Sequence, residues 1–441
     1  MRRINSGSEP LVFKIGTTHE GGEYFYDTEK ASNFHISLLG NSGVGKSFNM
    51  QNILVQYYRN GITSLVIDTQ GDFDYSRLPE KLSQSTPKEA FHKVKFGYIN
   101  PEVGINPLEI LLTDSDSDFQ FALYNAVYSI KLSNPSLGSQ QEALLKELLV
   151  ELYAKHGIHE GKRETWSLPP PNLTDLKNLC LDKQRSIYSE VNESVYERIA
   201  AAKKELHKHL EKEDCGDELD NSYDEKKDVI AGELIDELSV MVEQNLSGLD
   251  LAGGGIGMPK KERIGSILSI VKGMADLKLY SPIPMMLKAG KINVLDVTEV
   301  HQSDLPTLFN LLLFKTFQKA ALVGKNNLNP KRPSLIVGCD EGKLFQTSKG
   351  NPMAPINRII TEGRKYGLGA LIGFQSPDQI ENEIKNAIGT SFILPVAKTL
   401  INKTSTDLGI NKLILQQMQP RKEAAVSSGN STYKLVDTFA F

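Results

Sequence analysis

At 441 residues, 40% hydrophobic and 24% charged, the chain has the make-up of an ordinary globular protein with room for one large or two medium domains. A net charge of -4 excludes a global pull toward nucleic acid, so any such role has to use a local basic surface such as a lined channel. Three widely spaced cysteines, Cys180, Cys215 and Cys339, make neither a disulfide framework nor a zinc site and fit a reducing cytoplasm. The opening MRRINSGSEP has two arginines but no apolar stretch behind them, so no signal peptide is expected. The most apolar run, Leu305 to Val323, is interrupted by Asn310, Lys315, Gln318 and Lys319 and is too broken to span a bilayer. A soluble, cytoplasmic protein without an integral membrane segment is the expectation.

Residues 1–33 carry two short alternating runs, Leu11-Val12-Phe13-Lys14-Ile15-Gly16 and Glu23-Tyr24-Phe25-Tyr26, separated by Gly21-Gly22. This predicts a small hairpin leading into a core. An apolar strand carrying Ile36, Leu38 and Leu39 then runs straight into Gly40-Asn41-Ser42-Gly43-Val44-Gly45-Lys46-Ser47. That is G-x-x-x-x-G-K-[ST] without substitution, the phosphate-binding loop. Its glycines let the backbone wrap tightly enough for successive N–H groups to face phosphate oxygens. Lys46 reaches the β- and γ-phosphates, and the Ser47 hydroxyl ligates Mg2+. A helix has to follow, because its N-terminal N–H groups and dipole complete the anion site. Met50, Ile53, Leu54 and Tyr57 recur at helical spacing, and Asn60-Gly61 supplies a stop. A nucleotide is therefore expected against Gly40, Asn41, Ser42, Gly43, Val44, Gly45, Lys46, Ser47 and Phe48.

Thr63-Ser64-Leu65-Val66-Ile67-Asp68 is a continuous apolar run ending in an acid, the pattern of a strand buried on both faces of a parallel sheet. Asp68 begins the loop Asp68-Thr69-Gln70-Gly71-Asp72-Phe73-Asp74, and loops at the carboxyl ends of parallel strands are where open α/β sheets hold ligands. The stretch from Gly97 through Leu108 reads as a further strand edge with turns. From about 115 to 285 helical periodicity dominates, as in Glu142 to Leu149 and Val195 to Leu210, with Pro169-Pro170-Pro171 as a connector. Residues 211–227 are mostly charge and turn formers and read as a solvated loop, and Gly253 to Gly257 as a break.

Strand–helix alternation resumes at Lys291 to Asp296 and continues through Ser334 to Glu341, Gly369 to Gln375 and Ser391 to Pro395. Glu423 to Ser427 and Tyr433 to Thr438 around Gly429-Asn430 read as a final hairpin. The architecture that follows is α/β, a mostly parallel nucleotide-binding sheet split by a helical insertion. Its parts are a hairpin over 1–33, a first half of the core over 34–115, the insertion over 116–285 and the second half of the core over 286–441.

Asp340-Glu341 ends an apolar strand far downstream. Asp340 there can hold the water shell of Mg2+, and Glu341 can polarise a water for in-line attack on the γ-phosphate as a general base. Two adjacent acids with separate tasks indicate hydrolysis. Gln375, one residue past another buried strand, is either a reporter bonded to the γ-phosphate or attacking water, or a glutamine satisfied within its own loop. Arg364 is either a stabiliser of transition-state charge, in its own subunit or a neighbour's, or a surface arginine beside a glycine turn. Asn402-Lys403-Thr404-Ser405 lacks the aspartate of a guanine-reading N-K-x-D, and Leu246-Ser247-Gly248-Leu249-Asp250 lacks the Gly-Gln end of a transporter signature.

Asp340-Glu341-Gly342, Ile359-Ile360-Thr361-Glu362-Gly363-Arg364-Lys365-Tyr366-Gly367-Leu368-Gly369 and Phe374-Gln375-Ser376-Pro377 together resemble the HerA–FtsK superfamily of motor ATPases. So do Val66 to Phe73, Ile105-Asn106-Pro107-Leu108 and Ile292 to Asp296; the resemblance is nearest to HerA and the conjugation-type ATPases. It implies a RecA-like core, ATP and Mg2+ as cofactors, a hexameric ring with ATP sites between subunits, and double-stranded DNA moved through the channel. By that pattern Lys46 and Ser47 bind nucleotide and metal, Asp340 and Glu341 are the Walker B pair, Gln375 is the sensor, and Arg364 matches a family arginine. The N-terminal β-barrel of HerA, and the membrane and DNA-reading modules of FtsK, have no expected counterpart.

A translocase needs lysines on the channel, and Lys343 and Lys349 are the candidates for DNA contact, with Lys260-Lys261 second. The first expectation is thus a double-stranded DNA translocase, working with a nuclease or other effector. Two alternatives stand beside it. One is an ATPase powering protein secretion, conjugation or packaging, to which the negative charge is suited; the other is a scaffold that binds ATP to hold a ring together.

Overall fold

The computed structural model describes residues 9–98, 101–112, 115–186, 260–277, 279–280, 283, 286–324, 331–344, 354–380, 382–429 and 431–439. The chain forms two units: residues 1–106 with 278–441, and residues 107–277.

The first unit is built on one sheet of eleven strands. Numbered along the chain they are β1 (Val12–Thr18), β2 (Glu23–Asp27), β3 (Ile36–Leu39), β4 (Thr63–Asp68), β5 (Phe91–Lys95), β6 (Ile292–Asp296), β7 (Leu335–Cys339), β8 (Leu368–Phe374), β9 (Thr390–Ile393), β10 (Glu423–Ser428) and β11 (Lys434–Asp437). Their order across the sheet is β2-β1-β11-β10-β9-β3-β8-β7-β4-β6-β5. From β9 to β5 every pairing is parallel, while β1, β2, β10 and β11 add an antiparallel wing beyond β9. The expected hairpins at both ends are present, and Gly21 takes the left-handed φ of 82° that the first turn needs.

Continuous apolar runs became the central strands because both their faces are covered: β3, β4 and β8 are buried at every position. Helix α1 (Lys46–Arg59) covers one face with Met50, Ile53, Leu54 and Tyr57. It stops at Asn60 and Gly61, the latter at φ 73°. Tyr57 meets Phe13 edge-on at 5.5 Å, and Phe13 lies 4.8 Å from Tyr26, so the β1–β2 hairpin joins the same core.

One strand differs from the sequence expectation. The edge strand is β5, at Phe91–Lys95, and not the stretch from Gly97 to Leu108. Its alternate residues are lysines, with Lys93 paired to Asp74 and Asp296 and Lys95 to Glu299, so an apolar pattern is absent. Ion-paired lysines are an ordinary dress for an edge strand.

The second unit is helical, with Asp118–Ser133, Ser139–Lys155, residues 173–186 and Lys260–Asp276. Phe119 packs against Tyr153 at 5.4 Å and Trp166 at 6.1 Å, and Gln141 donates to Ser266 Oγ at 2.6 Å. Its limits lie several residues before those read from the sequence at both ends. Backbone pairing explains this: Gly104 N–H still donates to Ile283 O (2.8 Å) and Ile105 N–H to Leu279 O (3.0 Å) within the first unit. Val195 to Leu210, the charged run 211–227, Gly253 to Gly257 and Lys349 lie outside the described residues. Among the described residues no helix is long and apolar enough to cross a membrane.

Candidate active site

Parallel pairing brings the carboxyl ends of neighbouring strands to one edge, and three of them meet here. Leu39 of β3 is in register with Phe374 of β8, and Ile372 of β8 with Cys339 of β7. Gly40, Gln375 and Asp340 therefore leave the sheet side by side. Ile67 of β4 pairs with Cys339, which places the loop after Asp68 next to Asp340. The approach is close. A Cβ on Gly373 would stand 2.4 Å from Asp340 Oδ1, and one on Gly342 2.4 Å from the Phe374 ring. Gly338 lies against Val66, with its notional Cβ 3.4 Å from a Val66 methyl.

The phosphate loop spans Gly40 to Ser47, with Gly43 at φ 78° and Gly45 at φ 107°, angles that favour glycine. Buried Lys46 donates to the carbonyls of Gly40 (3.1 Å) and Asn41 (3.4 Å), which holds its ammonium across the loop. Ser47 Oγ stands between two carboxylates, 2.8 Å from Asp340 Oδ2 and 3.0 Å from Asp72 Oδ2. Asp340 Oδ1 is buried with no hydrogen-bond partner. Burial first, and then the nearby charges of Asp72 and Glu341, push the Asp340 carboxyl up to about 6, against the Ser47 bond and the Lys46 charge.

Glu341 is buried next to it and held on both oxygens. Gln70 Nε2 donates to Oε2 at 3.0 Å, Gln375 Nε2 approaches Oε1 at 3.5 Å, and Lys343 Nζ lies 3.3 Å from Oε1. Gln375 is itself fixed by its N–H, which donates to Gln379 Oε1 at 2.8 Å. The sequence reading assigned no role to Gln70 or Asp72. Both are presented by Asp68, whose carboxylate accepts the N–H groups of Gly71 (2.8 Å), Asp72 (3.1 Å) and Phe73 (3.1 Å) and shapes the loop. Burial raises the Asp68 carboxyl above its ordinary range even against these bonds. Gln51 of α1 adds a bond from its amide to Asp72 O at 2.6 Å.

Lys46, Ser47, Gln70, Asp72, Asp340, Glu341 and Gln375 line one cleft of about 460 Å³, together with Ser42, Phe48, Arg421 and Phe439. Arg421 and Phe439 also escaped the sequence reading. Lys343, a candidate for DNA contact, is half exposed, with its ammonium beside Glu341. Arg364 does not line the cleft of its own chain. Its guanidinium bonds Ser32 O and lies 5.8 Å from the Phe34 ring. Those residues precede β3 whereas the phosphate loop follows it, so Arg364 sits at the opposite end of that strand.

The donor set fits Mg2+. A hydroxyl and carboxylate oxygens are hard ligands, and one carboxylate oxygen has no other partner. Among the described residues no group of three or more His, Cys, Asp and Glu forms a metal centre of its own.

Fold and cleft together define a RecA-like P-loop nucleoside triphosphatase. The family described as "Helicase HerA, central domain" matches residues 13–247, more than half of the chain. The chain belongs to that family and is a motor ATPase of the HerA–FtsK superfamily. No curated protein matches it. Among solved structures it is similar to VirB4 of Thermoanaerobacter pseudethanolicus, with a TM-score of 0.61 and 15% identity over 99% of this chain and 98% of that one. It is also similar to the bacterial conjugative coupling protein TrwB lacking its first segment (TM-score 0.53, 14% identity, 96% and 88% covered). The plasmid coupling protein TrwB in complex with ADP and Mg2+ is a further match (TM-score 0.51, 14% identity, 96% and 89% covered). At these identities the structures speak for the fold.

Proposed function

We propose that this protein hydrolyses ATP with Mg2+ as one subunit of a hexameric ring that translocates double-stranded DNA. The observation that carries the hydrolytic part is Glu341, a buried carboxylate held by two amides beside the Ser47–Asp340 pair. The loop Gly40–Ser47 binds the phosphates, and Ser47, Asp340 and Asp72 hold the metal's side of the triphosphate. Mg2+ supplies neutralisation of developing charge on the phosphate oxygens. Glu341 takes a proton from the attacking water at a carboxylate oxygen, and Gln70 and Gln375 fix the direction in which that oxygen points. Lys46 exchanges its two carbonyl partners for phosphate oxygens.

Family membership supports a motor, and the placement of Arg364 away from its own cleft supports a ring in which arginines act toward neighbours. Membership in a helicase family favours DNA as the track. The likeness to a conjugative coupling protein is compatible with a second reading, a motor that powers conjugation or secretion, its cargo a protein. A cytoplasmic location belongs to both.

The test is ATP hydrolysis by the purified protein with and without long duplex DNA. Stimulation by duplex, lost in Lys46→Ala and in Glu341→Gln, is the expected result. Turnover that depends on Glu341 but ignores DNA would move the assignment to a protein-directed motor. No turnover under any condition would leave a nucleotide-holding scaffold.

A further inference from the structure

The cleft has two ends of different chemistry. One holds Gln70, Asp72, Asp340, Glu341 and Gln375, all polar and linked through Ser47 and Glu341. The other holds Phe48, Phe439 and Arg421. Topology separates them: the strands that carry Asp340 and Gln375 lie on one side of β3, while β9, β10 and β11 lie on the other. Phe439 follows β11, and Arg421 precedes β10.

Phe439 stacks on Phe48, with ring centroids 4.4 Å apart and planes 17° apart. Its ring also covers Gly45, where an added Cβ would stand 2.3 Å from the ring edge. The residue is fixed from behind, since its N–H donates to Asp437 Oδ1 at 3.1 Å and Thr438 N–H donates to Lys422 O at 3.1 Å. Arg421 takes a left-handed φ of 56°, unusual for a side chain of its size. In that conformation its Nε donates to Gly43 O (3.0 Å) and its N–H to Val44 O (3.2 Å). Because a trans peptide points its N–H opposite to its carbonyl, these two bonds turn the Val44 and Gly45 N–H groups to the other side.

A triphosphate whose γ end lies at Glu341 and Gln375 must carry its nucleoside out at the opposite end. We infer that Phe439, with Phe48 beneath it, is the platform on which the nucleobase stacks, and that the site accepts purine nucleotides as a class. Base–aromatic stacking is tolerant of base identity, because every base offers a π face and purines offer the larger one. Among the described residues, those lining this end of the cleft are aromatic or cationic, and none is an amide or carboxylate placed to read a base edge. Adenine and guanine are therefore separated weakly, and pyrimidines lose overlap. The inference rests on the ATPase reading above, and Arg421 serves it by positioning the loop.

The test is nucleotide hydrolysis and binding by wild type, Phe439→Ala and Phe439→Trp, with inorganic tripolyphosphate as the probe without a base. Stacking energies set the expected loss, a KM for ATP about tenfold higher in Phe439→Ala with kcat nearly kept. Inhibition by tripolyphosphate is unchanged in that variant, which a merely collapsed loop would not allow. Wild-type KM values for ATP and GTP lie within a few-fold of each other, and those for CTP and UTP are higher. In Phe439→Trp, fluorescence is quenched by ADP and GDP but not by tripolyphosphate; Trp166, the one native tryptophan, gives the background. An unchanged KM in Phe439→Ala overturns the inference, as does a lower one, which would make Phe439 a plug. So does indole fluorescence that ADP does not move. Failure of the ATPase reading looks different, because the wild type itself then turns over no nucleotide.

Discussion

Asp340 carries a cost in the nucleotide- and metal-free protein. Aspartate titrates near 3.9 in an unfolded chain, and here burial among Asp72 and Glu341 pushes it up to about 6. The folded state thus holds that proton more tightly than the unfolded state does. Stability contributed by the protonated form is full below about pH 4 and falls as pH rises toward 6, by about 3 kcal/mol in total. Asp340→Asn is therefore expected to stabilise the ligand-free protein by up to about 3 kcal/mol at pH 8 and by almost nothing near pH 4, while hydrolysis is lost. Urea unfolding at the two pH values in chelator checks it; equal gains at both would assign the effect to packing. The acids themselves were legible because each ends an apolar run. Gln70 and Asp72 were not, since their direction is set by the bonds that the Asp68 carboxylate accepts from four following N–H groups, which no spacing announces. Arg421 and Phe439 gave no local signal at all: one precedes β10 and the other follows β11, and only the sheet carries them round to the phosphate loop.

At the scale of elements, the site depends on how closely β3, β7 and β8 end together. Gly373 is one of the tight points, its missing Cβ standing 2.4 Å from Asp340 Oδ1 and 2.8 Å from Asp340 O. Gly373→Ala is expected to displace Asp340, lower kcat by at least tenfold and destabilise the fold by about 1–3 kcal/mol. Steady-state kinetics with a parallel unfolding curve would check this, and an intact kcat would show that the β7–β8 edge yields without cost to the site. The elements that came readily from sequence are those buried on both faces, whose continuous apolar runs have one reading. β5 did not, because an edge strand whose lysines pair with Asp74, Asp296 and Glu299 has no apolar periodicity to detect. Its position is fixed instead by parallel pairing with β6, whose register partners lie just over two hundred residues away.

For the molecule as a whole, the bonds of Gly104 to Ile283 and Ile105 to Leu279 close the first unit on itself where the second begins. A chain with residues 107–277 replaced by a short Gly-Ser linker is expected to fold cooperatively and still bind ATP, since loop-closure entropy changes only slowly with loop length. Circular dichroism on unfolding and nucleotide titration measure both; a molten product would mean that the helical unit supplies part of the first unit's stability. The same sheet order bears on how the protein is made. β3 is synthesised early, but its neighbours β8 and β9 are coded more than three hundred residues later, with Ile36 waiting for Leu371 and Thr390. Until then a strand destined for burial at every position, and its phosphate loop, stay unpaired on the nascent chain, the condition in which edges aggregate and chaperones are recruited. Arg421 and Phe439 come later still, so on the stacking reading above a last gain of about tenfold in nucleotide affinity follows only once translation has passed residue 439.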